Sequence, residues 1–360
     1  MIQTFSSTIR RKEMDAVLTC MVDEKIGPGE LNTKLIQTVK EFTGCDGAVA
    51  FRSPAIAFSY VAKALSLEAG TSVMISALAP SWHYTAIKNL GFTPLVLDVR
   101  EEDGLISADS VQEGIKNGGR LLLVHETMGI VPNLEELLSF GIPVIEDISH
   151  SVGATLSRSQ EGEEQAASEP AQKETAAKKA GMSGLYSILG LESTDTITAG
   201  GGAVLIAPKR REWIVLKKFT DAAPETDILP DMNSALGFIQ LKEFARNEQA
   251  RKALFAIFQK SLMSGKNKTF AREADDGSTI WSFPVVLSGS FKDAKQYAAR
   301  KEIEVRPAYE HSVIAVLEDE EQSRFIHAKS LYLRCVLFPL YPRLGSESAT
   351  KIAKVLGTLP

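Results

Sequence analysis

The sequence predicts an α/β protein: a large unit on a mostly parallel sheet of seven strands, followed by a smaller C-terminal α+β unit. Three observations carry this. Short apolar runs recur along residues 47–207, several of them apolar throughout rather than alternating, as strands buried on both faces require. Helical patterns separate them, and β-then-α repetition builds parallel sheets covered by helices on both faces. From Asp231 onward the pattern turns helical and then mixed.

In order, the expected strands are Gly47–Phe51, Ser72–Ser76, Pro94–Leu97, Leu121–His125, Val144–Glu146, Gly184–Ile188 and Gly202–Ala207. Helices are expected over Ile56–Leu67 and Tyr84–Leu90. In such sheets ligands sit at the carboxyl ends of the strands, so the loops there are where chemistry belongs. Met232, Leu236, Ile239, Gln240 and Phe244 lie at helical spacing, and a long helix runs on through Phe255 and Phe258. Beyond it come strands at Trp281–Leu287, Glu304–Pro307 and Cys335–Leu340, and helices at Ala294–Arg300 and Ser346–Leu356, the last opened by Ser346 as cap. This divides the chain at residues 1–245 and 246–360. Ser157–Lys179, rich in Glu, Gln, Ala, Ser and Lys and almost free of large apolar residues, reads as a solvated, mobile insertion. Lys178 and Lys179 within it read as solvated charges.

Composition narrows the function. With 360 residues, 44% hydrophobic and 24% charged, the chain is ordinary globular material. A formal net charge of -5 gives no reason to expect nucleic acid or an anionic membrane as partner. The three cysteines, Cys20, Cys45 and Cys335, have no paired spacing and indicate neither disulfides nor zinc. No stretch has the length of a signal peptide's apolar core at the start or of a membrane helix later, so a cytoplasmic protein is expected.

Several blocks together resemble one family. VIEDISHSVGATL at Val144–Leu156, LGFTPLVLDV at Leu90–Val99, SALGFIQLK at Ser234–Lys242, LYLRCVLFPLYPRLG at Leu331–Gly345 and the N-terminal IGPGELNTKLIQTVKEFTGCDGAVAF are similar, in the same order, to blocks of the DegT-type (StrS-like) pyridoxal-phosphate-dependent sugar-nucleotide aminotransferases. The resemblance spans nearly the whole chain. It implies fold type I of the pyridoxal phosphate enzymes, a homodimer with sites at the subunit boundary, and amino transfer to a keto-sugar carried on a nucleotide.

It also implies site residues. Asp147 matches the carboxylate that pairs with the cofactor's pyridine nitrogen; read alone, it serves equally as a helix cap. His150 matches a position near the ring hydroxyl, although a lone histidine is more often structural. Tyr84 matches the aromatic residue stacked on the ring, with Trp82 and His83 as neighbours able to serve instead, and a core aromatic as the plain alternative. Ser187 matches a phosphate-binding serine, or is simply a serine in a buried strand.

Three departures accompany these matches. Where the family has serine-glycine-threonine to cradle the phosphate, this chain has Ser53, Pro54 and Ala55. It keeps the serine but loses one backbone donor and one hydroxyl. Counting five residues from Ser187, the Schiff-base lysine falls on Glu192, and no lysine lies between Met182 and Pro208. Glutamate cannot form the imine and serves at most as a general base. The asparagine-tyrosine-arginine run that a neighbouring subunit would contribute reads Thr226-Asp227-Ile228.

Three readings follow. The first is a member that keeps the fold without transamination, with binding of pyridoxal or pyridoxamine phosphate weakened. The second is an enzyme of altered chemistry on a nucleotide-sugar. The third is an orthodox aminotransferase whose lysine loop is differently aligned.

Overall fold

The computed structural model describes residues 1–156, 178–270 and 277–360. The expected insertion lies almost entirely outside the described residues; only its last two positions, Lys178 and Lys179, are within them. Lys179 corrects the reading of a solvated charge. It is half-buried, and its ammonium donates to the Phe42 carbonyl and lies 5.2 Å from the Phe42 ring centroid.

Seven strands form the main sheet: β1 (Gly47–Phe51), β2 (Ser72–Ser76), β3 (Thr93–Leu97), β4 (Leu121–His125), β5 (Val144–Asp147), β6 (Tyr186–Gly190) and β7 (Ala203–Ala207). Their order is β1-β7-β6-β5-β4-β2-β3, parallel except for β7, which runs against both β1 and β6. Every residue of β4, β6 and β7 is buried, which is why those runs are apolar without alternation. Ile145 in β5 is wholly buried, and its truncation to alanine would cost about 3 kcal/mol by the usual cost of emptying a core site.

β6 begins two residues later than the sequence reading placed it. Gly184 is held elsewhere: its backbone N–H donates, with those of Gly181 and Ser183, to the Glu146 carboxylate, so it is unavailable to the ladder. The helix Pro54–Ala64 also starts earlier than expected. The Ser53 hydroxyl accepts from the Ile56 N–H at 3.2 Å, and Pro54 occupies the first helical position, where its missing donor costs nothing. Likewise the helix at 81–89 opens after Pro80, three residues before Tyr84.

A second, antiparallel sheet has the order β8 (Phe283–Val286), β10 (Cys335–Phe338), β9 (Arg306–Pro307). The helices Phe244–Leu262, Phe291–Arg300 and Ser346–Leu356 close its core around Phe258, Phe283, Phe338 and Ile352, with Phe255 and Phe258 edge-on to Phe283. The N-terminal residues join this unit: Ile2 bridges Ile303, and the Thr4 N–H donates to Glu304 Oε2 at 2.9 Å. The expected Ser346 cap is not formed. Gly345 holds the cap position, and Ser346 is the first helical residue. All three cysteines are buried and free, and among the described residues no helix is long and apolar enough to cross a membrane.

Candidate functional site

The carboxyl ends of β4, β5 and β6 converge on one cavity of about 300 Å³. Parallel pairing sets His125, the last residue of β4, directly beside Asp147, the last residue of β5. Sheet register alone therefore brings an imidazole to a carboxylate. The His125 Nδ1 lies 3.0 Å from Asp147 Oδ2. A third group arrives from the loop after β2: the buried face of the helix Ser81–Asn89 is His83, Ala86 and Ile87, the i, i+3, i+4 set of one helical side. This directs His83 Nε2 to the same Asp147 oxygen at 2.8 Å. The other oxygen accepts from the Ser149 N–H at 3.1 Å and from the Ser149 hydroxyl. Four donors thus meet the roughly four acceptor sites of one carboxylate. Burial would raise the Asp147 pKa, but His125 and His83 outweigh it and hold the carboxyl well below its ordinary range, so Asp147 is the site's fixed anion. Burial lowers the His83 pKa against the pull of Asp147, leaving a neutral ring.

His150 follows on the turn after β5. Its ring stacks on Trp281 at 3.7 Å between centroids and 15° between planes, and it meets His125 edge-on at 4.7 Å. The Met128 N–H points at His150 Nδ1 at 3.4 Å, and burial pushes the imidazole pKa well below its usual value. Trp281 reaches this place from just before β8, and its indole N–H donates to the Thr194 carbonyl at 2.7 Å. The cavity wall is therefore shared between the large sheet's loops and the C-terminal unit.

The β6–β7 loop supplies Glu192 and Asp195. Glu192 is exposed at the cavity, and its backbone N–H donates to Asp195 Oδ2 at 2.8 Å. Asp195 turns its carboxylate inward over Gly190; a Cβ at residue 190 would lie 2.6 Å from both Asp195 Oδ2 and Ser149 Oγ, so only glycine permits this approach. Burial, opposed by the Glu192 N–H and reinforced by Asp147 and Glu192, pushes the Asp195 carboxyl up to about 8. Behind the site, Glu126 is wholly buried against Glu146; burial and then the Glu146 charge raise its pKa far above the ordinary range, while the Ser151 hydroxyl donates to it.

Of the residues read from the sequence, Asp147, His150 and Glu192 come together here. Ser53 caps its helix, and Pro54 rather than Ser53 lines the cavity. Tyr84 does not line it; its half-buried ring packs on the main core with Lys88 Nζ 5.1 Å from its centroid, and Trp82 and Trp281 take the cavity wall instead. Ser187 sits second in β6, wholly buried, its hydroxyl donating to the Gly181 carbonyl at 2.9 Å. Its distance from the strand's carboxyl end follows from the two-residue shift of β6. Ile228 bridges Phe51 of its own chain, and Asp227 Oδ2 accepts from the Tyr60 hydroxyl at 2.8 Å. Asp195, His125 and Trp281 were not read from the sequence as site residues.

These residues do not fit a pyridoxal phosphate held as an imine. No lysine lines the cavity, Arg306 is its one lysine-or-arginine cation among the described residues, and Glu192, Asp195 and Glu310 share the wall. A pyridinium nitrogen would reach Asp147 only by displacing one of its four donors.

The fold is that of the pyridoxal-phosphate-dependent aminotransferases, with fold type I architecture. The match to the DegT/DnrJ/EryC1/StrS aminotransferase family runs over residues 7–357, and the chain belongs to that family. Solved structures agree in fold. A protein assigned as a sugar aminotransferase from Streptococcus pneumoniae, in its PLP form, superposes with a TM-score of 0.84 at 15% identity, covering 98% of this chain and 96% of that one. A GDP-4-keto-6-deoxymannose-3-dehydratase mutant with bound GDP-perosamine gives 0.82 at 16%, covering 99% and 100%. An aminotransferase from Psychrobacter cryohalolentis gives 0.82 at 16%, covering 98% and 97%.

Proposed function

We propose that this protein is a sugar aminotransferase-like member of its family that binds a nucleotide-linked sugar and does not perform ordinary transamination. The observation that carries the reading is the position expected for the imine-forming lysine. It holds Glu192, beside a cavity with no lysine in its lining among the described residues, and transamination needs an amine to form the imine and move the proton. Weakened binding of pyridoxal or pyridoxamine phosphate follows from the same residues, with Pro54 and Ala55 at the turn after β1 and Asp147 already engaged by His83 and His125. The polar and aromatic wall supports a sugar ligand: Trp82, Trp281 and Tyr309 offer apolar faces, and Arg306 and Glu310 offer charged groups. The dehydratase holding GDP-perosamine supports a nucleotide carrier for that sugar. The family resemblance further supports a cytoplasmic homodimer serving nucleotide-sugar or polysaccharide biosynthesis.

The test is direct. Purified protein is mixed with pyridoxal phosphate, scanned for the imine absorption band, reduced with borohydride and mapped for a modified lysine. No band and no labelled site lysine are expected, together with calorimetric binding of a nucleotide-sugar. A labelled lysine in this cavity sinks the proposal.

A second reading is favoured by one feature, the Asp195 carboxyl pushed up to about 8 at the cavity wall. A carboxyl poised there suits general acid–base work on a bound sugar. Turnover of a nucleotide-sugar that is lost in Asp195→Asn would establish it.

A further inference from the structure

His83, His125 and Asp147 present one ligand-type atom each, all within 4.8 Å of one another and all fully enclosed. Two imidazoles and a carboxylate are the donor set that borderline first-row divalent ions accept, and three protein ligands leave a coordination position open. We propose that these three residues form a binding site for a single divalent cation of the zinc or ferrous class, with the open position directed toward the cavity that His125 lines.

Geometry supports this beyond the donor count. A tetrahedral ion with ligand bonds of about 2.0–2.1 Å holds its ligand atoms roughly 3.4 Å apart. The present separations to the shared oxygen are 2.8 and 3.0 Å, so about half an ångström of opening on those two edges admits the ion. Binding needs no redox partner: each imidazole shifts its proton from the donor nitrogen to the other ring nitrogen. No side-chain cation competes for the carboxylate: among the described residues the ion-pair partners of Asp147 are the two histidines, and no lysine or arginine reaches it.

The site owes nothing to the nucleotide-sugar reading, because the ion would be held by protein atoms alone. The experiment uses the full chain, stripped with EDTA and dialysed, with no nucleotide or cofactor present. Co²⁺ is titrated while its visible d–d absorption is followed, and retained Zn²⁺ is counted by mass spectrometry. One ion per chain is expected, with the intense bands of a low-coordinate nitrogen and oxygen site. His83→Ala should weaken binding by more than about 100-fold, since losing a ligand exceeds the 10–100-fold effect of losing an outer hydrogen bond. His327→Ala, which removes an exposed histidine outside the cavity lining, should bind as the parent does. His125→Gln carries the same test if His83→Ala fails to fold by circular dichroism. Absence of stoichiometric Co²⁺ and Zn²⁺ uptake overturns the proposal, as does unchanged affinity in the folded ligand variant.

Discussion

Replacing Asp195 with asparagine should stabilise the protein, and by an amount that depends on pH. The carboxyl is pushed from an ordinary 3.8 up to about 8, because burial and the neighbouring charges of Asp147 and Glu192 disfavour its ionised form. Between those two values the unfolded chain has released its proton and the folded chain has kept it. Stability therefore falls as pH rises through that window: the neutral group's contribution is whole below pH 4 and gone above pH 8. Each pH unit is worth about 1.4 kcal/mol, so the effect reaches about 4 kcal/mol at pH 7 and roughly 1.6 kcal/mol at pH 5. The residue as a whole is only half-buried although its carboxylate faces inward, so solvent screening trims the first figure to about 2–3 kcal/mol. Asparagine keeps the oxygen that accepts from the Glu192 N–H and cannot ionise. Urea unfolding of both proteins at pH 4, 5.5 and 7 measures the gap. It should be near zero at pH 4 and favour the variant increasingly above it. A gap that is flat with pH, or one that favours the parent at pH 7, refutes the electrostatic account of this loop.

Three further outcomes follow from the same geometry. Trp281→Ala removes an indole stacked on His150 and hydrogen-bonded to Thr194, and should lower stability by about 3–4 kcal/mol in urea titrations, with nucleotide-sugar affinity falling alongside. Glu146→Ala leaves the N–H groups of Gly181, Ser183 and Gly184 without their acceptor and should cost about 3 kcal/mol or more, whereas Glu126→Gln, which mimics the protonated partner, should change stability at pH 7 by less than about 1 kcal/mol. Glu192→Lys should restore partial pyridoxal phosphate binding, read as an imine band at elevated cofactor concentration, and full affinity would contradict the reading that Pro54 and Ala55 weaken the phosphate end.

The sheet was legible because its strands are buried on both faces: runs such as Leu121–His125 and Ala203–Ala207 declare themselves without any partner. Boundaries were less so. Nothing local in Gly184 announces that a glutamate in the preceding strand claims its N–H, and the two-residue shift of the strand leaves Ser187 second in β6 rather than next to its carboxyl end. The spacing of His83, Ala86 and Ile87 was present in the sequence and pointed to a helix opening at Ser81; starting that helix at Tyr84 hid the face that carries His83. Trp281 could not have been found this way. It is brought to His150 by the docking of the second unit, a contact between residues 131 positions apart that no window of sequence contains.

The placement of Trp281 also has an optical consequence. The chain has three tryptophans, Trp82, Trp213 and Trp281, and two of them stand in the cavity wall, each in ring contact with a histidine. Trp213 lies apart, against Gly47 at the sheet edge. Two of the three indoles thus belong to the site itself. A sugar settling against an indole face changes that indole's polarity and solvent contact, so the unlabelled protein carries its own emission gauge of occupancy, with Trp213 as an internal reference.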